Sequence, residues 1–202
     1  MNDEMPDLSS VNLSRLFEDK IALSSDYSFD GVKSGDSWRK KLRGYFISRL
    51  PEMLPILDYA EGMGNEEITN DMLMKEASNC RWMTEVNVRR LSEVIWGFLN
   101  TCLHAKAKEE FEAADCLFGF DAWRRVVQHI WQGAKVRQGM LRKSVKSPPA
   151  IKSLEDVATG ITRFEGIMKA YKEAGGSPPV GQELKNDFMD TLPETFREQL
   201  VH

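Results

Sequence analysis

The sequence predicts an all-α protein, built as two small helical domains joined by a short linker, and three observations carry that reading. Apolar residues recur at three- and four-residue steps through most of the chain. No stretch shows the sustained two-residue alternation of a half-buried strand. One breaker, Ser147–Ala150 (SPPA), interrupts the helical pattern with two prolines that donate no hydrogen bonds.

The elements follow in order. Residues 1–35 hold seven acids and three bases and include the turn-rich run SSDYSFDGVKSGD from Ser24. They read as a largely flexible N-terminal segment, with one short helix near Leu13–Leu23 that forms only on docking. From Asp36 the pattern changes. Trp38, Leu42, Tyr45, Phe46 and Leu50 make one helical face. Asp36 or Ser37 caps it, and Pro51 ends it, since proline lacks an N–H and restricts the residue before it. Leu54, Leu57 and Tyr59 continue a second short helix that Gly62 and Gly64 close. A weaker helix centres on Asp71–Ala77.

The strongest signal is the stripe Val88, Leu91, Val94, Ile95, Phe98, Leu99 and Cys102, with Arg89, Arg90 and Glu93 outside it. His104–Ala114 forms another helix through Ala107, Phe111 and Ala114, and CLFGFD turns at Gly119. Asp121 caps the next helix, whose apolar face is Trp123, Val126, Val127, Ile130 and Trp131. The SPPA breaker then sets the domain boundary, giving a first domain over 36–147 and a second over 148–202. In the second, Ser153 and Asp156 resemble a capping box. Leu154, Val157, Ile161, Phe164, Met168 and Tyr171 line one helix, and GGSPPVG stops it. Leu184, Phe188 and Leu192 mark another. Thr191 and Glu194 cap a last short helix carrying Phe196 and Leu200. About nine helices result, with no internal repeat.

Composition narrows the class. The chain has 202 residues, enough for one ordinary domain or two small ones, and a net charge of −4. It lacks an apolar run of about 18 residues, so no bilayer span is expected. The opening MNDEMPDLSSVNLSRLFEDK has no basic start followed by an apolar block, so no secretory leader is expected. Cys80, Cys102 and Cys116 cannot all pair and match no disulfide framework, which favours a reducing, intracellular setting. Ten Met and five Trp suit soft helical cores and contact surfaces.

Catalytic and metal patterns are missing. His104, His129 and His202 are the three histidines, and none stands at metal-ligand spacing from a Cys or another His. There is no zinc knuckle, nucleophile elbow, P-loop, dinucleotide fingerprint or aspartic-protease Asp-Thr-Gly. Glu66–Glu67 and Glu109–Glu110 read as solvated faces. The three cysteines read as small core residues, with nothing nearby to lower a thiol pKa. No enzyme, no metal and no cofactor is expected.

Charge does suggest a partner. Residues 1–35, 36–147 and 148–202 carry net charges of −4, +3 and −3. Between Trp123 and Lys146 stand seven bases, Arg124, Arg125, Lys135, Arg137, Arg142, Lys143 and Lys146, with no acid after Asp121 until Glu155. A second group, Arg39, Lys40, Lys41, Arg43 and Arg49, lies on the first strong helix. Bases on a helical scaffold hold phosphate backbones without reading sequence. The alternative is a solvated face balanced by acids from another segment.

An ordered set of motifs carries a resemblance. SWRKKLRGYFISRLPEMLPILDYAE leads to NVRRLSEVIWGFLNTCLHAKAKEEF, then GFDAWRRVVQHIW, then SLEDVATGITRFEGIMKAYKEAGGSPPVGQELKNDFMDTLPETFREQL. Over about residues 36–202 this set resembles the Gag-like capsid region of copia-class LTR retrotransposons. Its second-domain elements stand here as Val157, Ile161, Phe164 and Met168, then Gly175–Gly176, then Leu192–Pro193 with Phe196. The resemblance implies capsid-like N- and C-terminal helical domains. It implies a chain that self-assembles into a shell, with copies of itself and the element's RNA as partners, in a cytoplasmic particle and without a membrane. Weak symmetric contacts suffice for a shell because many act together, and a short Pro-containing linker lets two domains change their angle. Phe188 and Met189, on the helix from Gly181 to Leu192, are the candidates for the assembly contact, with Phe188 also readable as core. The alternative function is a helical nucleic-acid-binding or adaptor module adopted by a host from such an element.

Overall fold

The computed structural model describes residues 12, 15–32, 34–79, 85–153, 155–194 and 197. Among them the fold is all-α, as the spacing predicts. The helices are α1 (Asp19–Ala22), α2 (Gly35–Arg49), α3 (Leu54–Gly62), α4 (Asn70–Asn79), α5 (Glu85–Cys102), α6 (Ala105–Glu112), α7 (Gly119–Lys146), α8 (Val157–Glu173) and α9 (Gln182–Met189). A 3₁₀ turn, Pro51–Met53, joins α2 to α3. The one extended pairing is an isolated bridge between Phe29 and Leu103.

The chain divides into two compact units, Met1–Trp131 and Gln132–His202. This division falls inside α7, sixteen residues before the expected boundary at Ser147–Ala150. The physical reason is that nothing stops the helix there. Gly133 and Gly139 each cost about 1 kcal/mol against alanine, too little to break a 28-residue helix. The two prolines end α7, yet its last turns already belong to the second unit.

The first unit is built around α5. Val88, Leu91, Ile95, Phe98, Leu99 and Cys102 are buried at the helical spacing that predicts them. Trp38, Leu42 and Phe46 of α2 and Trp123, Val126, Val127 and Ile130 of α7 close the same core. Each such side chain contributes about 1.5–3 kcal/mol when fully buried. Rings meet throughout: Trp38 and Trp123 lie 5.9 Å apart, and Phe46 lies 5.5 Å from Phe98. Gly119 opens α7 directly on the α5 backbone, where a Cβ would stand 2.2 Å from the Ser92 carbonyl oxygen. Across the 3₁₀ turn and α3 the buried face is Met53, Ile56, Leu57 and Ala60, whereas Leu54 is exposed, a one-residue correction to the expected stripe.

Residues 15–32 are not a flexible segment. Leu16, Phe17, Ala22 and Phe29 are buried in this core. Phe17 packs 4.6 Å from Phe46, and Phe29 stacks 4.7 Å from Trp38. Trp38 Nε1 donates to the Tyr27 carbonyl at 2.6 Å, and the Glu18 N–H donates to the Tyr45 hydroxyl at 3.0 Å. Three well-spaced aromatics, Phe17, Tyr27 and Phe29, outweigh the polar composition around them. Residues 1–11 lie outside the described residues.

Expected caps are revised as well. α2 begins at Gly35 after Ser34 in the left-handed region, with no side-chain cap. Asp36 instead sits in the first turn and pairs with Lys40 and Arg39. Asp121 lies inside α7 and turns inward rather than capping it. Ser153 and Asp156 do meet, but side chain to side chain, Oγ donating to Oδ2 at 2.8 Å.

The second unit has a small core of Val145, Ile151, Phe164, Tyr171 and Leu192. α8 ends in a Schellman turn. The Gly176 N–H donates to the Tyr171 carbonyl at 2.9 Å and the Gly175 N–H to the Lys172 carbonyl at 3.0 Å, with Gly175 at φ +79°. Only glycine fits at 176, because a Cβ there would lie 2.2 Å from the Tyr171 ring. Phe196 and Leu200 of the last expected helix, and Leu154, lie outside the described residues.

Candidate nucleic-acid interface

The seven bases of α7 do not form one surface. Arg124 and Arg125 belong to the first unit and face a buried carboxylate. Asp121 Oδ1 accepts from Arg124 Nε at 2.6 Å and from the Ile68 N–H at 2.9 Å, and its Oδ2 accepts from Arg125 Nε at 2.7 Å. Arg124 also donates to the Gly64 carbonyl at 2.9 Å. Asp121 is 1% exposed and Arg124 3%. Burial opposes ionisation of Asp121. The hydrogen bonds from Arg124, Ile68 and Arg125 outweigh it and hold the carboxyl below its ordinary value. Arg124 is therefore structural and unavailable to a phosphate. Arg125, half-buried and also 3.7 Å from Glu67, is committed in the same way.

The other basic group, on α2, is balanced by Asp36 of α2 itself and by acids from other segments. Arg39 reaches Glu61 at 2.7 Å and Asp36 at 3.1 Å. Lys40 pairs with Asp36, Lys41 with Asp26, Arg43 with Asp58 and Glu61, and Arg49 with Glu18. Glu61 is itself buried and also accepts from Trp123 Nε1 at 3.2 Å. These charges fasten α2 to its neighbours and leave little field for a partner.

The second unit differs. Lys135, Arg137, Arg142, Lys143 and Lys146 are exposed, and none makes an ion pair among the described residues. Lys135, Arg142 and Lys146 recur at seven and four residues, so they share one face of α7. With the Gly175–Val180 loop and α9 they line an open groove of about 680 Å³. Arg137 and Lys143 lie outside that lining. The groove also holds Tyr171 and two acids of α9, Glu183 and Asp187. The 175–181 run GGSPPVG reads in the sequence as a helix stop and, through the resemblance, as a glycine-containing turn; its glycine pair closes the Schellman turn that leads the chain into this lining.

The candidate assembly residues are partly covered. Phe188 and Met189 are half-buried, and the Phe188 ring lies 5.7 Å from that of the buried Phe164. More apolar surface is open elsewhere in this unit: Val136 is 58% exposed, Met140 67% and Val180 78%. Val136 and Met140 stand four residues apart on α7, on the side away from the groove.

The remaining candidates carry no chemistry here. His129 shares its Nε2 with the Gly31 carbonyl at 2.9 Å and lies 3.5 Å from Glu110, a packing role between α7, α6 and the 31 loop. Cys102 is buried, and burial pushes its thiol up to about 12. Cys116 is exposed in the turn before α7, contrary to the expectation of a core residue. Cys80 and His202 lie outside the described residues. Among the described residues no group of three or more His, Cys, Asp or Glu is placed to hold a metal ion, and no helix is long and apolar enough to cross a membrane. Compared with known protein families, curated proteins and solved structures, the chain matches none.

Proposed function

We propose that this chain is a Gag-like capsid protein of the copia class, which self-assembles into a shell and packages RNA. The ordered motif set from Trp38 to Phe196 motivates the reading. The observation that carries it is the apolar surface of the second unit. Val136, Met140 and Val180 are open to water, and Phe188 and Met189 are half-covered. Val136 and Met140, one turn apart on α7, offer an apolar patch that suits a contact repeated between copies. The five exposed α7 bases without acidic partners supply a complementary attraction for RNA phosphates.

Those same five bases favour a second reading, a helical nucleic-acid-binding or adaptor module. The two readings separate in one experiment. The purified full chain is followed by sedimentation velocity and electron microscopy while salt, protein concentration and added RNA are varied. A capsid protein gives closed particles. Binding to RNA without particles supports the adaptor. A 23 kDa monomer at high concentration under every condition overturns the capsid reading.

A further inference from the structure

The chain holds two Ser-Pro-Pro runs, opening at Ser147 and at Ser177. The structure gives them different surroundings. Ser177 is exposed in the irregular stretch after α8, where Pro178 pushes its backbone out of the helical region toward an extended one. An enzyme that modifies a serine must surround its hydroxyl, and an open, extended loop residue permits that. Ser147 closes α7 instead. Its N–H donates to the Lys143 carbonyl at 2.9 Å. It follows the last helical residue, where the helix dipole disfavours added negative charge.

Ser177 lines the same groove as Lys135, Arg142 and Lys146. These three bases are exposed and make no ion pair among the described residues. Glu183 and Asp187 of α9 line the groove as well. The lining therefore carries three bases against two acids, a surplus of one positive charge. A phosphoserine brings a charge of about −2 at neutral pH, with strong acceptor oxygens. That reverses the sign of the groove. The bases of α7 are the cationic donors open to the new phosphate, and the carboxylates of α9 repel it toward them.

We infer that Ser177 is a phosphorylation site of a proline-directed protein kinase, and that its phosphate occupies Lys135, Arg142 and Lys146 in place of RNA. In the transfer, Ser177 Oγ forms an ester bond to the γ-phosphorus of ATP as the bond from that phosphorus to the bridging oxygen breaks. The hydroxyl proton goes to a base of the kinase, and ADP leaves. The competition with RNA rests on the packaging role proposed above and supplies its release.

The test uses the full chain, treated with a purified proline-directed serine kinase and Mg–ATP, with phosphate mapped by mass spectrometry. Ser177 is expected to react about tenfold faster than Ser147, which must first give up a helical hydrogen bond. Equal rates at the two serines, or no phosphate on Ser177, overturn the inference. The phosphoprotein is then compared with the untreated chain in fluorescence anisotropy with a labelled oligouridylate. Its affinity should fall about tenfold at low salt and its salt slope by about two, because each base lost to a single strand removes about 0.7. Ser177→Ala should make the affinity indifferent to kinase treatment. Unchanged affinity in a chain phosphorylated at Ser177 overturns the inference and leaves packaging standing.

A readout without RNA checks the phosphate's position. Phosphorus NMR follows its second ionisation, ordinarily at about pH 6. Lys146→Ala and Arg142→Ala should each raise that value, since each removes a cation that favours the dianion. No rise in either variant overturns the inference. An untreated chain without RNA affinity sinks the packaging reading, and the phosphorus titration still decides whether these bases hold the phosphate.

Discussion

Asp121 and Arg124 form an ion pair within one turn of α7, 2.6 Å from Oδ1 to Nε, with both side chains almost fully withdrawn from water. The pair ties α7 to the loop between α3 and α4, because Asp121 also accepts from the Ile68 N–H and Arg124 donates to the Gly64 carbonyl. Such a pair contributes little relative to a well-packed apolar replacement, but removing Arg124 leaves the buried Asp121 only Arg125 and the Ile68 N–H and opens a cavity beside it. Arg124→Ala is expected to destabilise the first unit by about 2–3 kcal/mol in urea unfolding followed by tryptophan fluorescence, since the lost charge-assisted hydrogen bonds are only partly replaced. RNA affinity of the folded variant should be unchanged. A loss below about 1 kcal/mol would show that Arg124 is not buried in this way.

Acid sensitivity follows from the same carboxylate. Its folded value lies below the ordinary one, so the unfolded chain binds the proton first as pH falls. The stability it contributes is complete above the ordinary aspartate value, near pH 4, and is lost as pH drops through the lower folded value. Thermal midpoints measured from pH 7 to pH 2 should therefore fall steeply below about pH 4 in the wild type. They should fall less steeply in Asp121→Asn, which has no proton to take up there. Parallel profiles for the two proteins would refute the assignment.

The thiols separate by environment. Cys102 lies inside α5 with its thiol pushed up to about 12 by burial, whereas Cys116 is exposed. The thiolate is the reactive form, so Cys102 is inert at neutral pH. N-ethylmaleimide on the native chain should modify Cys116 within minutes and spare Cys102 until denaturant is added. Peptide mapping by mass spectrometry reads both sites, and native labelling of Cys102 would contradict its burial.

Helix positions were legible in the sequence wherever an apolar stripe spans three turns or more. The stripes from Val88 to Cys102 and from Trp38 to Leu50 are buried as their spacing requires, with Val94 and Tyr45 half-buried at their edges, because a helix has one way to hide such a stripe. Charge was legible only in part. A run of bases looks the same whether it is solvated or paired with acids of another helix, and Arg39 and Arg43 find theirs 22 and 15 residues away. The packing of residues 15–32 escaped because composition averages over a few aromatics that dominate the energetics. The groove escaped because its acidic wall stands some 40–50 residues from its basic one along the chain, so no local window contains both.

Val136 and Met140 give the sharpest test of the proposed assembly. Both are more than half exposed on α7, so charged replacements there remove apolar surface without opening a buried cavity. Val136→Asp with Met140→Asp should change unfolding stability by no more than about 1 kcal/mol, since exposed positions are usually within ±0.5 each. Particle formation should nevertheless be abolished, because each copy presents the altered face at every repeat of a symmetric contact. Electron microscopy decides the matter. Normal particles from the double variant would move the assembly contact away from this stretch of α7 and toward Phe188 and Met189, whose replacement by Asp would then be expected to disrupt the shell.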